Sequence, residues 1–287
     1  MIGIPGKWST EVLADRLEAL TGHRAVLAVS EIDVQWDTGR VLWGETDLAH
    51  YDAVVVKKIN AVYSAHTEDR IRMLKLLEQS GVQVISPTVS LNGLVNRLAG
   101  TQALMAAGIP MPATRITERV DAALGALNDW GKMVLKPMYS TKARGMQLLQ
   151  AGQPDAAAQI QAFQKDNPVM YLQQGLELDG RDLGMVFVGG QYLCTYARVG
   201  NSEAWNTTIH DGGRYEAYTP DADLIELGRR AQQCFELGFT TVDIALTSAG
   251  PVVFEVSAFG GFKGALEGCC IDAAEAYAQH IVKRTAR

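Results

Sequence analysis

The sequence predicts an α/β (α+β) protein, on three observations. The first hundred residues alternate strand-length apolar runs with helical periodicity, the order of a small open α/β sheet. From residue 171 the chain instead alternates β-rich runs and turns (LGMVFVGG, QYLCTYARV, TTVDIALTS, GPVVFEVSA), as successive antiparallel strands do. A strand and a helix stand between these regions, beyond the rigid GIPMP connector, where a domain boundary is expected.

The elements follow in order. Residues 10–21 read as a helix, with Thr10 as cap and Val12, Leu13, Leu17 and Leu20 at helical spacing. Residues 25–29 (AVLAV) and 52–56 (DAVVV) read as strands. Residues 67–79 form an amphipathic helix with Gly81 beyond its end, and 81–87 (GVQVISP) a strand closed by Pro87. A helix over 92–107 stops at Gly108. MVLK, 133–136, is a strand and 154–165 a helix. TTVDIALTSAGPVVFEVSA reads as a hairpin around a Gly-Pro turn, and helices over 221–237 and 271–284 complete the chain. The division is 1–90, 91–170 and 171–287.

With 47% hydrophobic and 20% charged residues the chain can bury a core, which excludes global disorder. A net charge of −6 disfavours nucleic acid and membrane surfaces as partners. No run approaches the length of a membrane span, and the N-terminal residues lack a signal-peptide pattern, so a cytoplasmic location is expected. Four cysteines without Cys-x-x-Cys spacing read as thiols, not as a disulfide or zinc framework.

Asp243 and Glu255 stand out. Each interrupts an apolar run, where a carboxylate is expensive unless satisfied. The proposed turn places them opposite or nearly opposite across the hairpin, so they could share one Mg²⁺ with phosphate oxygens. A solvated pair of acids fits the pattern equally well. SAFGGFKG, 257–264, carries a glycine doublet and Lys263, suited to phosphate or carboxylate, although a plain glycine turn is commoner. KPMYSTKARG, 136–145, delivers Lys136 into a loop with Lys142 and Arg144, a phosphate grip or a solvated basic loop. QQGLELDGRD, 173–182, offers extended backbone for an adenine edge, and Glu177, Asp179 and Asp182 for ribose, or plain surface acids. Arg198 ends an apolar strand pattern, and His210 is more often structural than catalytic. Lys57, Lys58 and His66 would suit an acidic substrate or a solvated loop. There is no Walker pattern, nucleophile elbow, H-E-x-x-H or G-x-G-x-x-G opening a helix.

The ordered series VLKP, LQQGL, GRDLGMVFVGG, TTIHDGG, TTVDIAL, VVFEVSAFGGFKG resembles the ATP-grasp superfamily, most closely its RimK-like carboxylate–amine ligases. The resemblance covers most of the chain, and its departures point towards the ATP-grasp member of the GAK system. It implies a pre-ATP-grasp α/β domain (1–90), a central subdomain (91–170) and a C-terminal antiparallel subdomain (171–287), with ATP held between the last two. It implies Mg²⁺ or Mn²⁺, and an amide formed through an acyl phosphate. Lys136 would contact the phosphates, with Arg97 and Lys142 in support. Gln173, Gln174, Gly175 and Leu176 would hold adenine through backbone groups, with Asp182 and Asn206 near the nucleotide. Arg198 would stabilise the acyl phosphate, with Lys263 beside it. Asp243, Glu255 and Ser257 would hold the metal. The partners would be small-molecule or peptide carboxylates and amines, and the assembly a homo-oligomer, dimer or tetramer. Alternatives are a nucleotide-binding partner protein without turnover, or an ATP-grasp kinase.

In the family the position of Ser257 is Asn, that of Arg97 Lys, and that of Asn206 Arg. The phosphate loop here has only Gly145. Arg97 keeps charge but changes geometry.

Overall fold

Four sheets organise the chain in the computed structural model, which describes residues 1–141, 143–178, 180–200 and 212–286. In the first, Ile2 bridges Leu27 on one side and Val56 on the other, and β4 (Ala53–Val55) pairs in parallel with β5 (Gln83–Ile85). Two helices flank it, α1 (Trp8–Thr21) and α2 (Ala65–Gln79). This is the open α/β unit expected, with two corrections. Residues 25–29 supply a single bridge at Leu27 and then a 3₁₀ turn, their backbone partners being the short segment Met1, Ile2 and Gly3. Thr10 does not cap α1. It lies inside the helix, buried, accepting from the Ile4 N–H, while Lys7 stands at the N-cap. A small antiparallel sheet of β1 (Ile32–Gln35), β2 (Arg40–Trp43) and β3 (Thr46–Asp47) was not expected; its strands are too short to carry a clear alternation.

The helix expected over 92–107 is two helices, α3 (Thr88–Val95) and α4 (Arg97–Ala106). Asn96 divides them. Its backbone is extended and its side chain accepts from the N–H groups of Leu98 and Ala99, making it the cap of α4.

The third sheet runs β6 (Thr114–Thr117), β9 (Met170–Gln174), β7 (Lys132–Lys136), β8 (Gln147–Gln150). Helices α5 (Val120–Trp130) and α6 (Ala156–Asp166) pack on it. The fourth is antiparallel: β12 (Arg214–Ala217), β11 (Gln191–Val199), β10 (Arg181–Val188), β13 (Phe239–Thr247), β14 (Gly250–Ser257). Helices α7 (Ala222–Gln233) and α8 (Ala273–Thr285) complete it.

The core does not follow the three-way division. The middle sheet has its own cluster, drawn entirely from residues 123–172. The first and fourth sheets share theirs: Ile2, Leu74 and Val84 cluster with Phe187, Leu237 and Val253, and Leu13, Val55 and Ile85 with Phe239, Phe262 and Tyr277. Helices α1 and α8 are tied by Arg16 and Asp272, 2.7 Å apart. No helix among the described residues is long and apolar enough to cross a membrane.

Candidate functional site

The hairpin brings its two acids face to face by means of one irregularity. Thr247 pairs with Gly250 and Ile244 with Val253, and this register continued would set Asp243 against Phe254. A bulge between Asp243 and Ile244 shifts it by one, and Asp243 pairs with Glu255. Since successive strand residues face opposite sides, the bulge puts both carboxylates on one face. The displaced Phe254 has its ring centroid 5.5 Å from Lys136 Nζ.

Strands β10 and β11 add the cation. Asp182 is opposite Arg198, and Gly184, two residues on, is opposite Asp243. Arg198 therefore reaches both acids: its Nε is 3.1 Å from each Asp182 oxygen, and its guanidinium 3.1 Å from Asp243 Oδ1. Gly184 is required there, because a Cβ would come within 2.4 Å of the Tyr196 ring.

The middle sheet presents Lys136 and Gln173 to the same place. Both are buried, and Lys136 Nζ donates to Gln173 Oε1, while the Gln173 amide donates to Thr114 Oγ1 at 3.3 Å. Arg97, at the start of α4, spans the seam. It donates to Glu255 Oε2 at 3.2 Å, to Ser140 Oγ at 2.9 Å and to the Pro137 carbonyl at 3.3 Å. Tyr139 of the basic loop donates to Glu68 at 2.7 Å, and Arg144 donates to the Ala61 carbonyl at 3.1 Å.

These charges shift one another. Burial pushes Asp243 up to about 7, with Glu255 and Asp182 adding to the rise and Arg198 opposing it. Burial and the Arg97 charge bring Lys136 down to about 7, against the pull of Glu255 and Asp243. Burial works against the charge on Arg198, but Asp243 and Asp182 outweigh it and hold the guanidinium charged well above its ordinary range. Perturbed groups gathered in one place make this cluster the candidate site.

The structure thus brings together Arg97, Lys136, Gln173, Asp182, Arg198, Asp243 and Glu255. Ser257 follows two residues after Glu255, opposite Thr241. Several expectations are corrected. Lys263 is not at the cluster: it opens a short helical turn, 3.9 Å from Glu267 and stacked over Trp8, because Phe262 takes the inward position. Gln173 does not offer free backbone to adenine, since it lies between β6 and β7; its side chain holds Lys136. The N–H groups of Gln174 and Gly175 are likewise bound, to Ala113 and Lys132 carbonyls, which leaves the edge near Leu176. Glu177 pairs with Lys132. Lys57 is buried and gives its ammonium to the Gly260 carbonyl, and His66 is exposed beside Asp69. Lys142, Asp179, Asn206 and His210 lie outside the described residues.

Sequence reasoning missed Gln173 as a side-chain partner, the Tyr139–Glu68 bond and the bulge. Only the first carried a signal, a polar residue within an apolar strand.

The RimK-like ATP-grasp domain profile matches residues 94–281. The chain belongs to the RimK-like ATP-grasp family. Its class is that of the ATP-grasp carbon–nitrogen ligases. It is similar to the tetrahydromethanopterin:alpha-L-glutamate ligase of Methanosarcina acetivorans, 25% identical over 211 residues, 70% of this chain and 65% of that one. It is also similar to the ribosomal protein bS6–L-glutamate ligase of Salmonella schwarzengrund, 26% identical over 82% of this chain and 77% of that one. Among solved structures, the ATP-grasp ligase PsnB complexed with a phosphomimetic variant of minimal precursor, Mg and ADP superposes with a TM-score of 0.78, covering 99% of this RimK-like chain and 97% of that one at 16% identity. That likeness establishes the ATP-grasp fold. These names are ligases, and they favour the ligase reading over a binding partner or a kinase.

Proposed function

We propose that this RimK-like chain uses ATP and Mg²⁺ to join a carboxylate to an amine. The observation that carries the reading is the Asp243–Glu255 pair, set on one face by the bulge and met by Lys136, Arg97 and Arg198 from three other elements. ATP's γ-phosphoryl passes to the substrate carboxylate, giving an acyl phosphate and ADP. The amine then attacks the acyl carbon, phosphate leaves, and the nitrogen releases a proton. Such chemistry asks for positioning and charge neutralisation rather than a protein nucleophile, and the residues present are suited to that.

The donor set fits a hard cation. Two carboxylates converge, and among the described residues buried Asp243 Oδ1 has the Arg198 guanidinium 3.1 Å away as its ion-pair partner and no further hydrogen-bond donor. Asp243 and Glu255 would hold Mg²⁺, with Ser257 nearby; when bound it supplies charge neutralisation for the phosphate oxygens. Lys136, oriented by Gln173, and Arg97 would contact the phosphates. Arg198, held by Asp182, would face the acyl phosphate. The edge at Leu176 would receive adenine.

The three-part division remains part of this reading, with ATP between the middle sheet and the fourth. The substrates are taken to be a peptide or small-molecule carboxylate and an amino-acid amine, glutamate being the first amine to try. A homo-oligomer and a cytoplasmic setting, where ATP is supplied, belong to the same proposal.

The test is ADP release from Mg²⁺ and ATP with L-glutamate and a panel of carboxylates and peptides. Glu255→Gln and Asp243→Asn should each lower turnover by about 10²-fold or more, as loss of transition-state charge stabilisation does. Unchanged turnover in both would end the metal assignment. Hydroxylamine should trap a hydroxamate; a stable phosphorylated product without hydroxamate would favour the kinase.

A further inference from the structure

Lys57 follows β4, far from the acids in sequence, and is buried. The acceptor its ammonium finds is a backbone carbonyl, that of Gly260 at 2.5 Å. Two rings also face it: Nζ is 4.2 Å from the centroid of Phe262 and 5.5 Å from that of Phe239, rings that meet edge to face. Ring faces attract a cation, but with no carboxylate paired to it among the described residues the buried charge is still costly. A methionine of similar length would fill this space without that cost. Packing alone therefore does not account for a lysine here.

What the ammonium adds is a grip on the turn after Glu255. Gly260 is pressed against β13 so closely that a Cβ would come within 2.7 Å of Thr241 Oγ1 and 2.9 Å of the Phe239 ring. Thr241 is the residue opposite Ser257. The same segment of the first region holds the turn again one residue earlier. Tyr63 packs edge-on against Phe259 with centroids 6.1 Å apart, and Lys58 stacks over Phe259 at 5.3 Å. Tyr63 also feels Glu255: burial, and then the charge of Glu255, push its hydroxyl upward. Residues 57–63 thus fix Phe259, Gly260 and Phe262 beside the end of β14.

We propose that Lys57 is a positioning residue: by pinning the Gly260 carbonyl it sets the 258–262 turn as the wall of the site beside Glu255, against which substrate is seated. The ammonium acts through the turn and touches neither substrate nor nucleotide. The assignment of a substrate wall rests on the ligase reading above.

The experiment uses the full chain and two variants, Lys57→Met and Lys57→Gln. Hydrogen–deuterium exchange follows the amides of 258–263, thermal melting follows the whole molecule, and calorimetry measures MgADP affinity. Lys57→Met should melt no lower than wild type, while its 258–263 amides exchange at least tenfold faster. Lys57→Gln, polar in an apolar pocket, should melt lower but keep a donor for Gly260 and exchange within threefold of wild type. This crossed ranking is one that a space-filling side chain would not produce. MgADP affinity should stay within twofold throughout. Unchanged exchange in Lys57→Met, exchange that rises only in step with a falling melting temperature, or equal exchange in the two variants would each overturn the proposal. If wild type binds no MgADP, the ligase reading fails, and the exchange ranking still decides whether Lys57 pins the turn.

Discussion

The stretch from Thr114 to Gln174 and the two stretches flanking it are built on different principles. The middle stretch closes its own core, Leu127, Leu135, Leu149, Ile160, Phe163 and Leu172 all belonging to one cluster. The first and last stretches cannot be separated in that way, because Ile2 and Val84 pack with Phe187 and Val253, and Leu13 and Ile85 with Phe239 and Tyr277. The candidate site lies on the seam between a self-contained unit, which gives Lys136 and Gln173, and a fused body, which gives Asp182, Arg198, Asp243 and Glu255. Arg97 contacts both sides. The acids are thus positioned by the fused body, and Lys136 and Gln173 by the separate unit.

Truncating one core residue on each side would break this comparison most forcefully. Phe187→Ala should cost about 3–5 kcal/mol and raise amide exchange in residues 1–56 and 181–257 together. Leu172→Ala should cost about 2–5 kcal/mol but raise exchange only within 114–174. Global exchange in both variants would mean that the middle unit is not self-contained.

A second test compares two buried lysines, one on each side. Lys57 and Lys136 are both brought down to about 7, mainly by burial. Between pH 7 and the ordinary lysine value near 10.4 the unfolded chain holds protons that the folded chain has released. Stability should therefore rise with pH over that window, by about 1.4 kcal/mol per pH unit for each lysine. Lys57→Met and Lys136→Met should each flatten the slope by that amount in urea unfolding measured from pH 7 to 10. If only one does so, the burial of the other is wrong.

The contrast also explains what was legible in the sequence. The strands of the last sheet and the acids Asp243 and Glu255 were readable because long alternating runs and a carboxylate within an apolar strand are local features. The shared core was not, since nothing near Leu13 or Ile85 announces that its neighbours are Tyr277 and Phe239. The bulge at Phe254 escaped for a related reason: a one-residue slip in register leaves no mark in composition, yet it decides whether the acids face each other. Lys57 beside Lys58 read equally as a contact for an acidic substrate or as a solvated loop, because burial of a lysine depends on rings about 200 residues away.

Removing one clamp of the seam should have a smaller effect. Arg97→Met loses its bonds to Glu255, Ser140 and the Pro137 carbonyl. Glu255 is half exposed, which screens the ion pair, so the loss should be about 1–2 kcal/mol. Exchange should rise in 132–150 and remain unchanged in 239–247. A rise in both would mean that Arg97 supports the hairpin rather than the seam.

The mildest change is Tyr139→Phe, which deletes one hydroxyl. That hydroxyl donates to Glu68 at 2.7 Å and receives the Asn96 amide at 3.2 Å, tying the basic loop of the middle unit to α2 and to the cap of α4. Glu68 keeps its bond from Asn96 at 3.2 Å, so no acid is left stranded, and the cost should stay near 1 kcal/mol. The informative quantity is the location of the effect. If the loop moves with the middle unit, exchange in residues 137–146 should rise at least threefold with little change in melting temperature. A fall in melting temperature with no change in the loop would place Tyr139 in the fused body instead, and would move the seam to the other side of the basic loop.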